Sequence, residues 1–492
     1  MIVKYLFSGH SGLYDLLKNE LGHAENLLMP YWDDYKSCTY DGVQWSNLPP
    51  LDQILLYELR HCESIFLKMA DRLLPGSTYQ ERKDHYLRHI RYWNWRISDN
   101  LDLAIFQNVP HEGFDFIIYS ICKLRNIKTL CFYTLPIRPN KVYLVSYMTD
   151  IFNSGKEIHR TYEDFKVEKS SINISADCIS KLLKPYIEEH SSLDNNITPF
   201  TRGTSRKNAL VEWMRIGKVT LSYLKVFNFQ LLLEAFLRRT LVKVAKQKYM
   251  YYQSEEKVNN YYQANCSFPD LTLPYIYFPL HFQPECSTSP LGGEFVHQYL
   301  VCEMLAYAAS RYNICIYIKE HPRASKSAYV RNIPFYKKLL ECDNVILVEN
   351  SVNTFDLIDK SVAVATVSGS AGWEAVLRSK PVLLFGSRFY ESAPGVFRIN
   401  KNDDLTNALD LILNKKFSHS SQDILIYLKS LESHVFEAYI SEGDSMIATV
   451  DGDTSNKNFA TAIMKYIRSP DFNSVTYDTA PLKNTKLTMS DI

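Results

Sequence analysis

In the second half of the chain, short apolar runs alternate with stretches of helical spacing. Runs whose length and composition suit strands occupy 275–280, 314–319, 345–348, 362–367 and 381–385. Helical patterns lie at 295–311, from 320 to 340, and at 354–359, 371–379 and 405–413. Strands that alternate with helices predict a parallel, doubly wound sheet. Such sheets bind ligands at the carboxyl ends of their strands.

The first 150 residues carry a similar but less regular pattern. Apolar runs at 2–7, 101–106 and 127–133 predict strands, and helical spacing occurs from residue 13, over 51–98 and over 117–124. The pattern predicts an α/β chain with four parts. These are a Rossmann-like domain at 1–150, a helical connector at 151–270, a second Rossmann-like domain at 271–468 and a polar tail at 469–492.

Composition narrows the class of protein. The 492 residues include 55 basic and 54 acidic side chains, a net charge of +1, so no global charge favours nucleic acid. No apolar run is long enough for a membrane span, and the first residues do not resemble a signal peptide. Ten cysteines stand singly without a CxxC pair, which indicates reduced thiols and a cytoplasmic protein.

Residues 238–248 form a basic, partly apolar helical pattern. Two interpretations of this pattern remain open. It suits contact with an anionic membrane surface, and it equally suits the solvated face of an ordinary helix.

The most informative turn follows the strand predicted at 362–367. Small residues let a backbone approach a ligand, and the first N–H groups of a helix lack partners within it. A turn formed by Ser368, Gly369, Ser370 and Gly372 is therefore suited to bind a phosphate or a carboxylate. Glu374, predicted in the first helical turn, is placed to accept hydrogen bonds from ribose hydroxyls. A strand-to-helix turn capped by Ser368 explains the same residues.

Two further segments follow strands of this sheet. Lys319 and His321 can donate to phosphate oxygens, and the Gln283 side chain can hydrogen-bond a base or a sugar, with Glu285 beside it. Each segment alone also fits a polar surface loop. Three ligand-competent loops at one edge of one sheet favour a binding site.

The first domain offers a histidine with two carboxylates at 108–115, after the strand predicted at 101–106. On a helix, Glu112 and Asp115 share a face, as do His111 and Asp115. Such a group can supply a general base or a nucleophile. The alternative is that these acidic residues only stabilise the positive end of the helix dipole. Residues Ser8, Gly9 and His10 end the first predicted strand and are predicted to face the same cleft.

Several motifs are absent from the sequence. There is no GxxxxGK[ST], HExxH or GxSxG, which argues against P-loop, zinc-protease and serine-hydrolase chemistry. No DxD-type pair follows a predicted strand, so we expect a reaction without an essential metal and without a cofactor.

Four segments resemble bacterial capsular polysaccharide synthesis proteins, a family that includes transferases of Kdo (3-deoxy-manno-octulosonic acid). The segments are YFPLHFQPE at 277–285, YIKEHP at 317–322, ATVSGSAGWEA at 365–375 and KPVLLFG at 380–386. The resemblance covers roughly residues 275–400, with a weaker match at 108–112. Ser379 departs from the glycine that family members often have there.

The resemblance implies a GT-B architecture, with two Rossmann-like domains that face a cleft. The first domain would bind a glycan or glycolipid acceptor and the second a nucleotide sugar, with a CMP-linked acidic sugar favoured. His321 and Pro322 would lie near the donor phosphate, which the turn 368–372 would face. The implied location is cytoplasmic, with peripheral contact at the inner face of the cell membrane.

The implied reaction is glycosyl transfer, in which Glu112 or Asp115 activates the acceptor hydroxyl or attacks as a nucleophile. Three alternatives stay open. They are phosphoglycerol or phosphosugar transfer in teichoic-acid-like synthesis, epimerisation of a sugar nucleotide, and a non-catalytic role in capsule assembly.

Overall fold

The computed structural model describes most of both predicted sheets. The described residues are 4–21, 25–26, 38, 40, 42–74, 77–97, 100–135, 143–168, 183, 256–283, 285–321, 331–414, 420–441, 445, 448–470 and 472. The basic pattern at 238–248, most of the predicted connector, Pro322 and the tail beyond 472 lie outside them.

The first sheet has six strands in the order β13-β5-β4-β3-β1-β2. Its strands are β1 Tyr5–Ser8, β2 Glu25–Asn26, β3 Leu103–Phe106, β4 Lys128–Thr134, β5 Leu144–Met148 and β13 Val435–Glu437. The pairs that β1 forms with β2 and β3, and that β3 forms with β4, are parallel. β5 pairs antiparallel with both β4 and β13. The strand order reverses between β1 and β3, which is where doubly wound sheets bind ligands.

The second sheet has seven strands in the order β12-β11-β10-β7-β8-β9-β6. They are β6 Cys266–Ser267, β7 Tyr275–Pro279, β8 Cys315–Lys319, β9 Val345–Val348, β10 Ala363–Thr366, β11 Val382–Leu384 and β12 Val396–Arg398. The registers that are defined are all parallel. This order reverses between β7 and β10, so the segments after those two strands are the expected ligand-binding edge. The predicted α/β class, with two Rossmann-like and mainly parallel sheets, is confirmed.

Helices connect the strands of both sheets. In the first half they are α1 Ser11–Leu21, α2 Gln53–Glu58, α3 Arg60–Leu73, α4 Tyr79–Arg96, α5 Phe114–Leu124 and α6 Lys156–Glu168. In the second half they are α7 Gln298–Ser310, α8 Ile333–Leu339, α9 Thr354–Lys360, α10 Ser370–Leu377, α11 Asn402–Leu413, α12 Ser421–Glu432 and α13 Gly452–Arg468, and residues 256–265 are also helical.

Local sequence explains where individual helices begin. At α4, Thr78 Oγ1 accepts from the Glu81 N–H while the Glu81 carboxylate accepts from the Thr78 N–H, a reciprocal capping box. At α13, the Asp451 side chain accepts from the Thr454 N–H at 2.7 Å.

The chain returns to its first sheet near its end, which the hydrophobic pattern did not predict. β13 pairs with β5, and α13 packs on α1. Their apolar side chains join one buried cluster, in which Phe459 and Ile463 of α13 pack with Tyr5, Phe7 and Leu13. Burial of these groups stabilises the sheet by roughly 25 cal/mol per Å² of apolar surface.

The chain divides into two compact units. One comprises Met1–Ser191, Pro284–His297 and Ala365–Ile492, and the other comprises Ser192–Gln283 and Gln298–Val364. The domain bounds expected from the sequence stay a prediction.

No helix among the described residues combines the length and the apolar character that a membrane span requires.

Candidate functional site

A buried carboxylate organises the acidic turn that follows β3. Asp115 is 5% exposed, and its oxygens accept from the backbone N–H groups of His111 at 3.0 Å, Glu112 at 2.8 Å and Phe116 at 2.7 Å. The Glu112 carboxylate lies 3.5 Å from His111 Nε2. The structure therefore brings the three predicted catalytic residues together.

The turn differs from the helix that the spacing predicted. Gly113 has φ +85°, which ends the preceding loop, and α5 begins at Phe114. His111 and Glu112 therefore lie outside the helix, and the prediction that they share a helix face with Asp115 is wrong. Hydrogen bonds to the Asp115 carboxylate bring them together instead.

Burial shapes the protonation of this turn. Burial, and secondarily the nearby Glu112 charge, raises the pKa of Asp115 from 3.8 to about 7, although its three N–H partners act in the opposite direction. Asp115 is thus held in the interior as a group that changes charge near neutral pH, and Glu112 is the more exposed carboxylate.

The loop after β1 lies against the same segment. Gln107 is 3% exposed, and its Oε1 accepts from the His10 N–H at 2.7 Å. The Gln107 N–H donates to the Ser8 carbonyl at 2.8 Å. A side chain at Gly9 would meet Gln107 at 2.5 Å, so close approach requires glycine there. Gln107 is a positioning residue that the sequence reasoning missed.

The predicted small-residue turn does join a strand to a helix. Gly369 is the N-cap of α10, with extended backbone angles, and its N–H donates to Thr366 Oγ1 at 3.0 Å. A Cβ on Gly372 would lie 2.5 Å from Tyr390 Oη, because the tyrosine hydroxyl donates to the Gly369 carbonyl. The Tyr390 side chain therefore packs closely against the turn, whereas Ser370 is exposed.

Two details of this turn correct the sequence expectations. The N-cap is Gly369 and not Ser368, because the buried Ser368 hydroxyl donates to the Ser287 carbonyl. Glu374 lies beyond the first turn, because the helix starts at Ser370. Burial raises the pKa of Glu374 to about 7, while a hydrogen bond from Ser370 lowers it.

One short turn links the two predicted groups within the same compact unit. Besides the Ser368 contact at Ser287, the adjacent Cys286 thiol lies within the electrostatic reach of Asp115, Arg72 and Arg388. Burial raises the pKa of Cys286 to about 12, the two guanidinium groups lower it, and Asp115 raises it. The acidic turn and the small-residue turn are therefore neighbours of one segment, 285–288, which includes the exposed Glu285.

Arg388 stands out among the basic groups near this segment. Its guanidinium forms no hydrogen bond or ion pair with another described residue, and its Nε is buried. By contrast, Arg72 donates to the His111 carbonyl and Arg398 pairs with Glu391 at 2.6 Å. A partly buried guanidinium is suited to an anionic ligand. The sequence reasoning missed Arg388, whose position two residues past Gly386 carries no motif.

The other predicted donor residues lie in the second compact unit. Lys319 is 6% exposed, and its ammonium donates to the Val352 carbonyl and to Thr354 Oγ1. Burial lowers the pKa of Lys319. Its contact with a donor phosphate stays a prediction, because the ammonium already has two protein partners.

His321 is positioned by a buried carboxylate. Glu320 accepts from the His321 N–H at 2.6 Å, from Arg331 at 2.5 Å and from the Tyr336 hydroxyl at 2.5 Å. The His321 ring lies against Phe282, beside the partly exposed Gln283. This network fixes the backbone of the Lys-Glu-His turn.

The fold defines an α/β protein with two Rossmann-like sheets. Residues 291–457, roughly a third of the chain, match the family described as capsule polysaccharide biosynthesis protein. The predicted resemblance to capsular polysaccharide synthesis proteins is confirmed over this region. No curated protein is a significant match to the sequence.

The solved structures that match this chain include two of Thermosulfurimonas dismutans KpsC. The KpsC beta Kdo 2,7 transferase has 10% identity and a TM-score of 0.30, covering 94% of this chain and 99% of that chain. The KpsC beta Kdo 2,4 transferase has 10% identity and a TM-score of 0.29, with 67% and 79% covered. A Methanocaldococcus jannaschii UDP-GlcNAc 2-epimerase in complex with UDP-GlcNAc and UDP has 12% identity and a TM-score of 0.25, with 87% and 98% covered.

Proposed function

We propose that the protein is a glycosyltransferase of capsular or surface polysaccharide synthesis that uses a nucleotide-activated sugar. The observation that carries the proposal is the position of the turn 285–288. It contacts the small-residue turn through Ser368 and lies within the electrostatic reach of Asp115 and Arg388. Anion-binding groups and carboxylates thus adjoin one segment, and of these groups the small-residue turn and Arg388 fall within the matched capsule region, residues 291–457.

The donor's phosphate is the anion that this arrangement suits. In the proposal, the first N–H groups of α10 and the Arg388 guanidinium stabilise the phosphate as it leaves the sugar. A CMP-linked acidic sugar such as Kdo is the favoured donor. The expectations that Lys319, His321 and Gln283 contact the donor and that Ser8 to His10 contact the acceptor are kept as predictions.

Glu112 is the proposed catalytic carboxylate, because it is more exposed than Asp115 and is held by the turn that Asp115 organises. As a base, it takes the proton of the acceptor hydroxyl while that oxygen attacks the anomeric carbon and the bond to phosphate breaks. As a nucleophile, it attacks the anomeric carbon while the bond to phosphate breaks, which forms a glycosyl-enzyme ester and releases the nucleotide. The acceptor oxygen then attacks the same carbon, the carboxylate leaves, and the hydroxyl proton passes to solvent. No metal or cofactor is required in either course.

A nucleotide screen tests the binding part of the proposal. Ligands that bind the folded chain raise its melting temperature with occupancy. We expect CMP to raise the melting temperature more than CDP, UDP or GDP. If none of the four shifts the transition of a folded sample, the nucleotide-sugar assignment is wrong.

Product analysis separates the transferase from its competitors. Incubation with CMP-Kdo and a capsule-derived glycan should add the sugar mass without phosphorus, and Glu112→Gln should lower the rate by about 10²–10⁴-fold. A product that retains phosphorus identifies phosphoglycerol or phosphosugar transfer. Normal capsule in cells that carry folded Glu112→Gln identifies a non-catalytic role.

A further inference from the structure

A cysteine and two histidines lie close together in the helical layer of the first unit, and none of them belongs to the acidic turn or the small-residue turn. Cys38, His85 and His89 each offer one ligand atom, and these atoms all lie within 4.8 Å of one another. Thiolate and imidazole are the ligands that zinc prefers. We propose that Cys38, His85 and His89 form a binding site for a divalent transition-metal ion of the zinc class.

The two histidines are arranged as metal ligands on a helix are. They stand four residues apart on α4, so they share one face, and their ring centroids are 4.6 Å apart at 75°. His89 is 1% exposed, whereas His85 is only partly buried. The cluster therefore has a buried side at His89 and an open, partly exposed side at His85.

The segment that carries Cys38 is held against α4 by several contacts. Arg88 Nε donates to the Cys38 carbonyl at 3.1 Å, and the Tyr40 ring stacks on Tyr92 at 4.0 Å. Cys38 and Tyr40 have φ of +62° and +46°, which non-glycine residues rarely adopt. The surroundings thus hold the thiol over the histidine pair in a backbone conformation that is unfavourable by itself.

Tyr40 supplies the outer contact that metal-bound histidines usually have. Its hydroxyl lies 2.5 Å from His89 Nδ1. With the metal on Nε2, the Nδ1–H donates to this hydroxyl and fixes the ring orientation. Water at the open side completes four-coordinate geometry.

Coordination requires a neutral imidazole and a thiolate. Metal binding therefore displaces the Cys38 thiol proton to solvent as the sulfur–metal bond forms. In a tetrahedral zinc site the ligand atoms are about 3.5 Å apart, so side-chain rotations must close the cluster by about 1 Å.

The proposed site acts as a clip between residues distant in sequence. A bound metal would link Cys38 to α4 through His85 and His89. The free energy of unfolding would then increase with the logarithm of the ratio of the free metal concentration to the dissociation constant. This inference does not depend on the proposed transferase activity.

Cobalt titration of the full chain, stripped with a chelator, tests the site. We expect one Co²⁺ per chain, visible bands of tetrahedral intensity, a thiolate-to-cobalt charge-transfer band, release of a proton and a higher melting temperature. Zn²⁺ should displace Co²⁺ and remove the bands. Absence of the charge-transfer band in folded wild-type protein overturns the proposal.

Substitutions assign the signal to these residues. Cys38→Ser should abolish the charge-transfer band, and His85→Gln should weaken metal binding by at least about tenfold. Cys266→Ser and His159→Gln, at more exposed positions elsewhere, serve as matched controls and should bind as wild type does. Should Cys38→Ser fail to fold, the more exposed His85→Gln alone decides. If folded His85→Gln binds metal as tightly as wild type does, the proposed site is wrong. The three side chains then serve only in packing.

Discussion

The hydroxyl of Ser368 donates a hydrogen bond to the backbone carbonyl of Ser287, a residue 81 positions earlier in the chain. Ser368 is fully buried, so this bond anchors the turn before α10 to the segment after β7. The anchoring replaces the capping role that the sequence suggested for this serine.

Ser368→Ala should therefore destabilise the fold. The substitution leaves the Ser287 carbonyl without its donor, at a cost of about 1–3 kcal/mol. Chemical denaturation of the two proteins measures the difference. Ser421→Ala, at the exposed first position of α12, is the control and should change the free energy of unfolding by less than about 0.5 kcal/mol. Equal effects of the two substitutions would contradict the anchoring role.

Arg388→Gln should impair nucleotide binding without loss of the fold. Removal of the guanidinium deletes a charge-assisted contact, so the dissociation constant for CMP should rise by at least about tenfold. Isothermal titration provides the measurement. Arg311→Gln removes an exposed guanidinium of the other unit and should leave CMP affinity unchanged. If Arg388→Gln binds CMP as wild type does, the guanidinium does not contact the phosphate.

The Asp115 carboxyl should make stability depend on pH. Its pKa is 3.8 when unfolded and about 7 when folded, so between these values the folded chain binds more protons. The free energy of unfolding should then fall as pH rises from about 4 to about 7, by up to the order of 4 kcal/mol. Asp115→Asn should flatten this slope. Denaturation series at several pH values compare the two, and parallel slopes would show that Asp115 does not titrate in this range.

The buried Glu320–Arg331 pair should be costly to break. Glu320→Gln leaves the Arg331 charge without its partner, and we expect a loss of about 3–5 kcal/mol. Glu303→Gln breaks an exposed pair with Lys338 and should cost less than about 1 kcal/mol. Guanidinium denaturation gives both values. A double variant, Glu320→Leu with Arg331→Met, should recover part of the loss, and a further loss would argue against an unpaired charge as the cause.

The sequence predicted the five strands β7 to β11 of the second sheet, because each is a short and mostly buried apolar run, and β9 was predicted at its observed bounds, 345–348. It missed β6 and β12 of that sheet, which are short and partly exposed. In the first sheet, β2, β5 and β13 were missed. β13 has only three residues, all partly exposed, and its pairing with β5 is set by contacts about 290 positions apart. Local periodicity carries no information about such a partner.

The candidate site shows the same limit. Strand ends could be located from the pattern, so the turns at 8–10, 108–115, 283–285, 319–321 and 368–374 were found. Arg388 and Gln107 lie outside any motif, and their roles depend on neighbours from distant parts of the chain. The hydrogen bonds of the Asp115 carboxylate also could not be predicted, because Gly113, with φ +85°, leaves His111 and Glu112 outside the helix that the spacing predicted.

The return of β13 and α13 to the first sheet has a consequence for biosynthesis. A ribosome delivers β1 through β5 long before residues 435–468, and domains fold as their parts emerge. Until α13 arrives, the apolar faces of Phe7 and Leu13 have no cover from Phe459 and Ile463. The nascent chain therefore exposes these apolar side chains during most of translation, and chaperones bind exposed apolar surface of this kind.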